Sequence, residues 1–306
     1  MRTLSDHRAF VVVCLVLLGA SASRSSAESP GPTYRSTVSE VRLTFFATDE
    51  RNHSADTLQK NDFAVVDNER VVRDFRSFSV SSETKLDVVV LIDSSQSVLP
   101  HFKDEISNVL QLVGQAQWIP DDKITVLSFA GTEPRVICTG NCRSSSATGG
   151  VSALSSDGTT PLFDTVAFAA NFLSERSDPE VRPVIILFSD GEDTISRTSF
   201  HDAFEKVLAS EAQIYAVDVT SPGRSTSGTA TLQRLAEASG GRYLPVQAGA
   251  VEVLHAVVDD LHSAHVVTYA LPAGVSDFHS VRILPTRNLN LQFRCRRGYY
   301  ARAGTH

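Results

Sequence analysis

Between Asp87 and Asp93 the chain runs Val88-Val89-Val90-Leu91-Ile92 without one polar residue. A strand with one wet face alternates apolar and polar side chains. An unbroken apolar run belongs to a strand covered on both faces, as in a parallel sheet sandwiched by helices. The run recurs as Val184-Ile185-Ile186-Leu187-Phe188. Between and after the two, the pattern switches to a helical period. Phe102, Ile106, Val109, Leu110 and Val113 share one face of a helix,. Residues 123–129 read as a strand, 164–174 as a helix, 200–209 as a helix and 213–219 as a strand. Residues 231–239 follow as a helix, 242–246 as a short strand and 251–262 as a helix. This alternation predicts an α/β fold with a doubly wound, mostly parallel sheet.

Two segments of β texture flank that region. In the first, Val41, Leu43 and Phe45 alternate with Arg42 and Thr44, and Phe63, Val65, Phe75 and Phe78 follow after turn-rich gaps. In the second, residues 266–271 and 280–284 read as strands, and Leu289, Leu291, Phe293 and Cys295 alternate with polar neighbours. Each flank has too few strands to bury an apolar face alone. The economical reading is one small β-sandwich formed by both chain ends, with the α/β domain inserted; two separate β appendages are the alternative. The expected boundaries are a signal peptide at 1–27, a Ser/Pro-rich linker at 28–39, a front sandwich segment at 40–84, the α/β domain at 85–265 and a back sandwich segment at 266–306.

The signal peptide rests on three features in order. Arg2 and Arg8 precede an apolar run over residues 9–18, and small residues follow in Gly19-Ala20-Ser21-Ala22-Ser23,. The run is too short to cross a bilayer core of about 30 Å. Cleavage after Ala22 or after Ala27 fits equally. The chain is therefore expected to be secreted, periplasmic or held in the cell envelope, with no transmembrane anchor after cleavage. Export changes how the cysteines read. Cys14 leaves with the leader, and Cys138 and Cys142 in Cys-Thr-Gly-Asn-Cys are expected to form a small disulfide loop,. Cys295 is left as a buried strand residue.

Charge excludes one class of partner. Lys plus Arg number 28 against 35 Asp plus Glu, for a net charge of −7. Removing a leader that carries Arg2, Arg8 and Arg24 against Asp6 makes the rest more acidic still. Such a chain is a poor binder of phosphate backbones, so nucleic acid is not an expected partner. No G-x-S-x-G elbow and no glycine-rich phosphate loop follows a strand, so an enzyme is not expected either,.

The chemistry concentrates directly after the first apolar run, in Asp93-Ser94-Ser95-Gln96-Ser97. Loops at the carboxyl ends of strands line the ligand crevice of an open α/β sheet. This one offers a carboxylate and two hydroxyls, the oxygen ligands a hard divalent cation takes. Serine before a helix is commonly only a cap. Two later loops add oxygen at the same edge: Gly158-Thr159-Thr160-Pro161-Leu162-Phe163-Asp164 and Ser189-Asp190-Gly191-Glu192.

D-x-S-x-S, G-T-T-P-L-F-D and S-D-G-E, in this order, resemble the von Willebrand factor type A (VWA) domain. The resemblance implies a metal-ion-dependent adhesion site (MIDAS) in which Asp93, Ser95, Ser97, Thr160 and Asp190 ring a Mg²⁺, alternatively Ca²⁺ or Mn²⁺. It implies a protein ligand that supplies an Asp or Glu carboxylate to the open coordination position. Ser189 falls outside that ring, and Glu192 and Asp193 would shape an acidic rim. The implied function is divalent-cation-dependent protein binding or adhesion. The alternatives are a structural cell-envelope component with a stabilising metal, or a hydrolase.

The flanks resemble a narrower group, the exported bacterial proteins described as VWFA-related. Val41-Arg42-Leu43, Asp62-Phe63-Ala64-Val65-Val66-Asp67-Asn68-Glu69, Phe75 and Arg296-Arg297-Gly298-Tyr299-Tyr300 carry that likeness. It departs where Glu69 replaces glycine and where residues 138–149 form a Ser/Gly-rich loop. His255, His262 and His265 read as a solvated helix end rather than a metal site, and Asn52-His53-Ser54 as a sequon only where the cell glycosylates such sites.

Overall fold

The computed structural model describes residues 40–51, 53–55, 57–80, 84–114, 122–140, 142–178, 180–220, 226–245, 250–272 and 278–301. The expected signal peptide, the linker and Asn52 lie outside them.

The sandwich begins with β1 (Glu40–Thr48), β2 (Phe63–Asp67), β3 (Arg70–Val72) and β4 (Ser77–Val80). The α/β region follows as β5 (Lys85–Asp93), α1 (Phe102–Gly114), β6 (Lys123–Ala130), β7 (Glu133–Gly140), α2 (Ser145–Ser152), α3 (Leu162–Glu175) and β8 (Val181–Ser189). It continues through α4 (Phe200–Ser210), β9 (Gln213–Asp218), α5 (Ser227–Ser239), β10 (Arg242–Pro245) and α6 (Ala250–His262). The chain then returns to the sandwich in β11 (His265–Ala270), β12 (Phe278–Pro285), β13 (Gln292–Cys295) and β14 (Gly298–Tyr300).

The central sheet has the order β10-β9-β8-β5-β6-β7. All its pairs are parallel except β6 with β7. The apolar runs sit in its middle, as continuous runs should. Because side chains alternate across a strand, Val88, Val90, Ile92, Val184, Ile186 and Phe188 pack to one face against α1 and α6. Val89, Leu91, Ile185 and Leu187 pack to the other against α3, α4 and α5.

Both chain ends contribute to each of two antiparallel sheets, β13-β1-β11-β4 and β14-β12-β2-β3. Leu43, Phe45, Phe63 and Val65 from the front share one core with Val267, Tyr269 and Ile283 from the back. Inside it Asp67, fully buried, accepts hydrogen bonds from Tyr269 Oη at 2.9 Å and Tyr299 Oη at 2.6 Å, and pairs with His279 Nδ1 at 2.6 Å.

Several expectations need correction. Residues 138–149 are not a loop. They hold the end of β7, the Cys138–Cys142 disulfide and the start of α2, whose Ser144 cap accepts from Ala147 N at 3.3 Å. β7 is an edge strand with a mostly wet side-chain row, so it lacks the apolar signal of its neighbours. Leu289 lies outside any strand and is 74% exposed. His265 is not on a solvated helix end: it opens β11, buried, its ring stacked 5.4 Å from Phe45 and 5.8 Å from Phe78. On α1 the buried face is Phe102, Glu105, Asn108, Val109, Leu112 and Val113, turned one residue from the expected stripe, so Ile106 and Leu110 are only partly covered.

Candidate functional site

β5 and β8 are neighbours at the sheet centre, but the chain leaves β5 for α1 on one face and reaches β8 from α3 on the other. Such a switch opens a crevice beyond the strand ends. Asp93 ends β5, and Asp190 directly follows β8.

Asp93 is completely buried. Its Oδ1 accepts from Ser95 N at 3.0 Å and Ser95 Oγ at 2.6 Å, and its Oδ2 accepts from Ser189 Oγ at 2.6 Å. Ser95 Oγ lies 3.0 Å from Ser97 Oγ, and the Ser97 hydroxyl reaches the Asp190 carboxylate. Asp190 also accepts from Glu192 N at 3.0 Å. The result is one continuous chain, Ser189–Asp93–Ser95–Ser97–Asp190.

Local geometry separates this from ordinary capping. Ser95 occupies the N-cap position of a single 3₁₀ turn, Gln96–Val98, yet its side chain makes no cap bond. It turns back to Asp93. At α3 the cap position is Pro161, so the adjacent Thr160 hydroxyl is no cap either. Thr160 is buried, with its N donating to Thr194 Oγ1 at 2.8 Å and its O accepting from Thr194 N at 2.9 Å. Its loop is stitched to the first one: Gln96 N donates to Gly158 O at 3.0 Å, Asp157 N to Ser94 O at 2.8 Å, and the Ser156 hydroxyl to Ser95 O. All three loops named from the sequence therefore meet at one sheet edge.

Both crevice carboxyls are raised, in each case chiefly by burial. Burial pushes the Asp93 carboxyl up to about 6, against the pull of the Ser189 and Ser95 hydrogen bonds and with a push from the Asp190 charge,. Asp190 is raised too, by burial first, with the Ser97 and Glu192 hydrogen bonds opposing. Glu105 was not legible as part of the surroundings. It is 1% exposed on α1, its carboxyl held well above the usual range by burial and by the charges of Asp93 and Asp190. Its spacing was the available signal, since Glu105 follows Phe102 by three and precedes Val109 by four.

Two expected rim residues have other work. Glu192 accepts from Ser227 Oγ at 3.0 Å and Gly228 N at 3.2 Å, holding the start of α5. Asp193 accepts from Phe163 N at 3.2 Å at the start of α3. Gly191, with φ +78°, and Gly228 press backbone to backbone, so that a Cβ on Gly228 would lie 2.2 Å from Asp190 O. Among the described residues no three His, Cys, Asp or Glu side chains form a metal-holding group. The donor set gathered here is instead two carboxylates with hydroxyls, the hard oxygen chemistry that suits Mg²⁺, Ca²⁺ or Mn²⁺.

The von Willebrand factor type A domain model matches residues 87–259, more than half the chain. No curated protein matches the sequence. Among solved structures, similarity extends to an aerotolerance-related membrane protein from Bacteroides fragilis, 18% identical, with TM-score 0.44, covering 57% of this chain and 98% of that one. BatB from Bacteroides thetaiotaomicron is 19% identical, with TM-score 0.43 and coverage of 57% and 97%. A von Willebrand factor type A structure from Catenulispora acidiphila is 11% identical, with TM-score 0.48 and coverage of 87% and 75%. VWA domains are in general interaction modules rather than enzymes. On the match over residues 87–259, the chain belongs to the von Willebrand factor type A domain family.

Proposed function

We propose that this protein is an exported interaction module that binds a protein ligand through a divalent cation held by Asp93, Ser95, Ser97, Thr160 and Asp190. The observation that carries the reading is the hydroxyl of Ser95. It stands at a cap position, makes no cap bond, and joins Asp93 and Ser97 in a run of oxygens ending at Asp190. Two carboxylates would balance a dication, and hydroxyls add ligands without charge. A bound Mg²⁺ would supply a Lewis-acidic position that favours a carboxylate from the partner. The five residues bind and orient the ion, and the buried crevice floor keeps their geometry fixed.

Export rests on the N-terminal leader pattern; no helix of the described residues is long and apolar enough to cross a membrane. Calorimetry with Mg²⁺, Mn²⁺ and Ca²⁺ tests the site. Wild type should bind at least one of them at millimolar concentration or below, and Asp190→Ala should bind none while still folding. A capture experiment from the envelope fraction, with Mg²⁺ against EDTA, tests the partner. Capture unchanged by EDTA would remove the cation from the interaction.

A further inference from the structure

A third carboxylate stands at the same sheet edge as Asp93 and Asp190. Asp218 ends β9, and its register partner on the neighbouring β8 is Ser189. It is 2% exposed, and three protein donors occupy its oxygens. Oδ1 accepts from Thr220 N at 2.9 Å, while Oδ2 accepts from Tyr243 Oη at 2.7 Å and from Thr229 Oγ1 at 3.0 Å.

Thr229 carries this carboxylate's influence toward the crevice. It lies in the first turn of α5, where the capping is done by Thr226, whose hydroxyl accepts from Thr229 N at 3.1 Å. The Thr229 hydroxyl is thus left to reach out of the helix to β9, and a hydrogen bond onto a carboxylate is stronger than one between neutral groups. The same turn walls the Asp190 loop. Gly228 and Gly191 meet backbone to backbone with room for no Cβ on either, and Glu192 accepts from Ser227 Oγ and Gly228 N. The other end of α5, about 20 Å away at 1.5 Å per residue, is fastened to the sandwich. There Arg297 N donates to Ala238 O at 3.0 Å, and Arg294 Nη1 to Gly240 O at 2.7 Å and Gly241 O at 2.8 Å.

We infer, resting on the cation site proposed above, that Asp218 and Thr229 are positioning residues for that site. Their hydrogen bond seats the first turn of α5, and that turn holds the Asp190 backbone where its carboxylate meets Ser97. Neither residue belongs to the ring of five. Asp218 also acts on Asp190 through its charge, a minor push on a carboxyl raised chiefly by burial, so replacing Asp218 alone would mix two effects.

Thr229 separates them. Thr229→Val keeps the Asp218 charge, the branched side-chain shape and the Thr226 cap. Tyr243→Phe is the control, since it takes the other hydroxyl from the same oxygen and leaves the α5 link in place. In calorimetry on the mature chain with Mg²⁺, Mn²⁺ and Ca²⁺, Thr229→Val should bind the ion that wild type prefers about tenfold more weakly. Thr229→Ser should restore the affinity, and Tyr243→Phe should bind as wild type does, even if it melts as low as Thr229→Val. Circular dichroism checks folding, and Thr229→Ala replaces the valine variant if that one unfolds. Hydrogen exchange in EDTA reads the loop without any ion. The amides of Gly191, Glu192 and Thr194, all bonded within this region, should exchange several-fold faster in Thr229→Val and not in Tyr243→Phe,. A wild type that binds none of the ions removes the cation reading, and the exchange rates then decide the seating of the loop by themselves. Equal affinity and exchange in wild type and Thr229→Val, or equal losses in Thr229→Val and Tyr243→Phe, overturns the assignment.

Discussion

Ser189 Oγ donates to Asp93 Oδ2 at 2.6 Å and accepts from Gly191 N at 2.9 Å. A serine that the family pattern leaves outside the ring thus fixes the Asp93 carboxylate and couples the end of β8 to the end of β5. With Ser95 bound to the other oxygen, the Asp93 carboxylate is held on both sides.

Ser189→Ala is therefore expected to matter, contrary to the reading from the motif alone. Groups that orient a metal ligand are worth about 10–100-fold in metal affinity. The variant should bind Mg²⁺ about tenfold more weakly than wild type in calorimetry, while its far-ultraviolet circular dichroism stays unchanged. Affinity equal to wild type would show that Asp93 needs no such support.

What the sequence could and could not convey follows from the kind of signal each residue leaves. The apolar runs of β5 and β8 are covered on both faces, so composition alone identified them. Asp93 and Asp190 end such runs, and their place in the crevice followed from topology. β7 and α2 left no comparable trace: one is a wet edge strand, the other a serine- and glycine-rich helix stabilised by burying Ala147 and Val151. Ser189 and Glu105 were missed for another reason. Their roles depend on which oxygen each faces, and spacing along the chain does not encode that.

The raised carboxyls make a prediction about pH for the metal-free protein. The Asp93 carboxyl moves from 3.8 to about 6, so the folded state holds that proton more tightly than the unfolded chain. The destabilising cost of its charge is full above about 6, and it fades as pH falls toward 3.8,. In EDTA, wild type should gain stability between pH 7 and pH 5 relative to Asp93→Asn. A shift of this size corresponds to an upper limit on the order of 3 kcal/mol. Urea unfolding at the two pH values measures it, and parallel pH dependence in the two proteins would rule the cause out.

The contact between Gly191 and Gly228 should be intolerant of any side chain. A Cβ on Gly228 meets Asp190 O at 2.2 Å and Gly191 C at 2.8 Å, all backbone atoms. Gly228→Ala must push the Asp190 loop away from α5. We expect a loss of about 2–4 kcal/mol, in the range of overpacked or strained sites, together with loss of divalent-cation binding. A variant that melts like wild type would show that the loop has slack the structure does not display.

The cysteines should respond unequally to alkylation. Cys138 and Cys142 are bridged, and Cys295 is free. Burial pushes the Cys295 thiol up to about 12, so it is scarcely ionised at neutral pH,. Iodoacetamide at pH 8 should leave Cys295 of the native, unreduced protein unlabelled and label it after denaturation, while Cys138 and Cys142 stay bridged and unlabelled. Rapid native labelling of Cys295 would contradict its placement against the sandwich core.

The sandwich should depend strongly on Asp67. This buried carboxylate collects two tyrosine hydroxyls, from β11 and β14, and the His279 imidazole from β12, whereas Asp67 itself ends β2. It thereby joins front and back segments of the chain across both sheets. Asp67→Ala would remove the carboxyl that Tyr269, Tyr299 and His279 share, and an unpaired buried polar group costs about 1–3 kcal/mol,. A combined loss of about 3–5 kcal/mol is expected, the range for breaking a buried charged network. Asp67→Asn keeps the shape and one acceptor oxygen, so it should lose less. The damage should be regional. Hydrogen exchange should accelerate in β1, β2, β11 and β12 while β5 and β8, which have their own core, keep their protection,. Uniform acceleration across all of these strands would mean that sandwich and α/β sheet unfold as one unit.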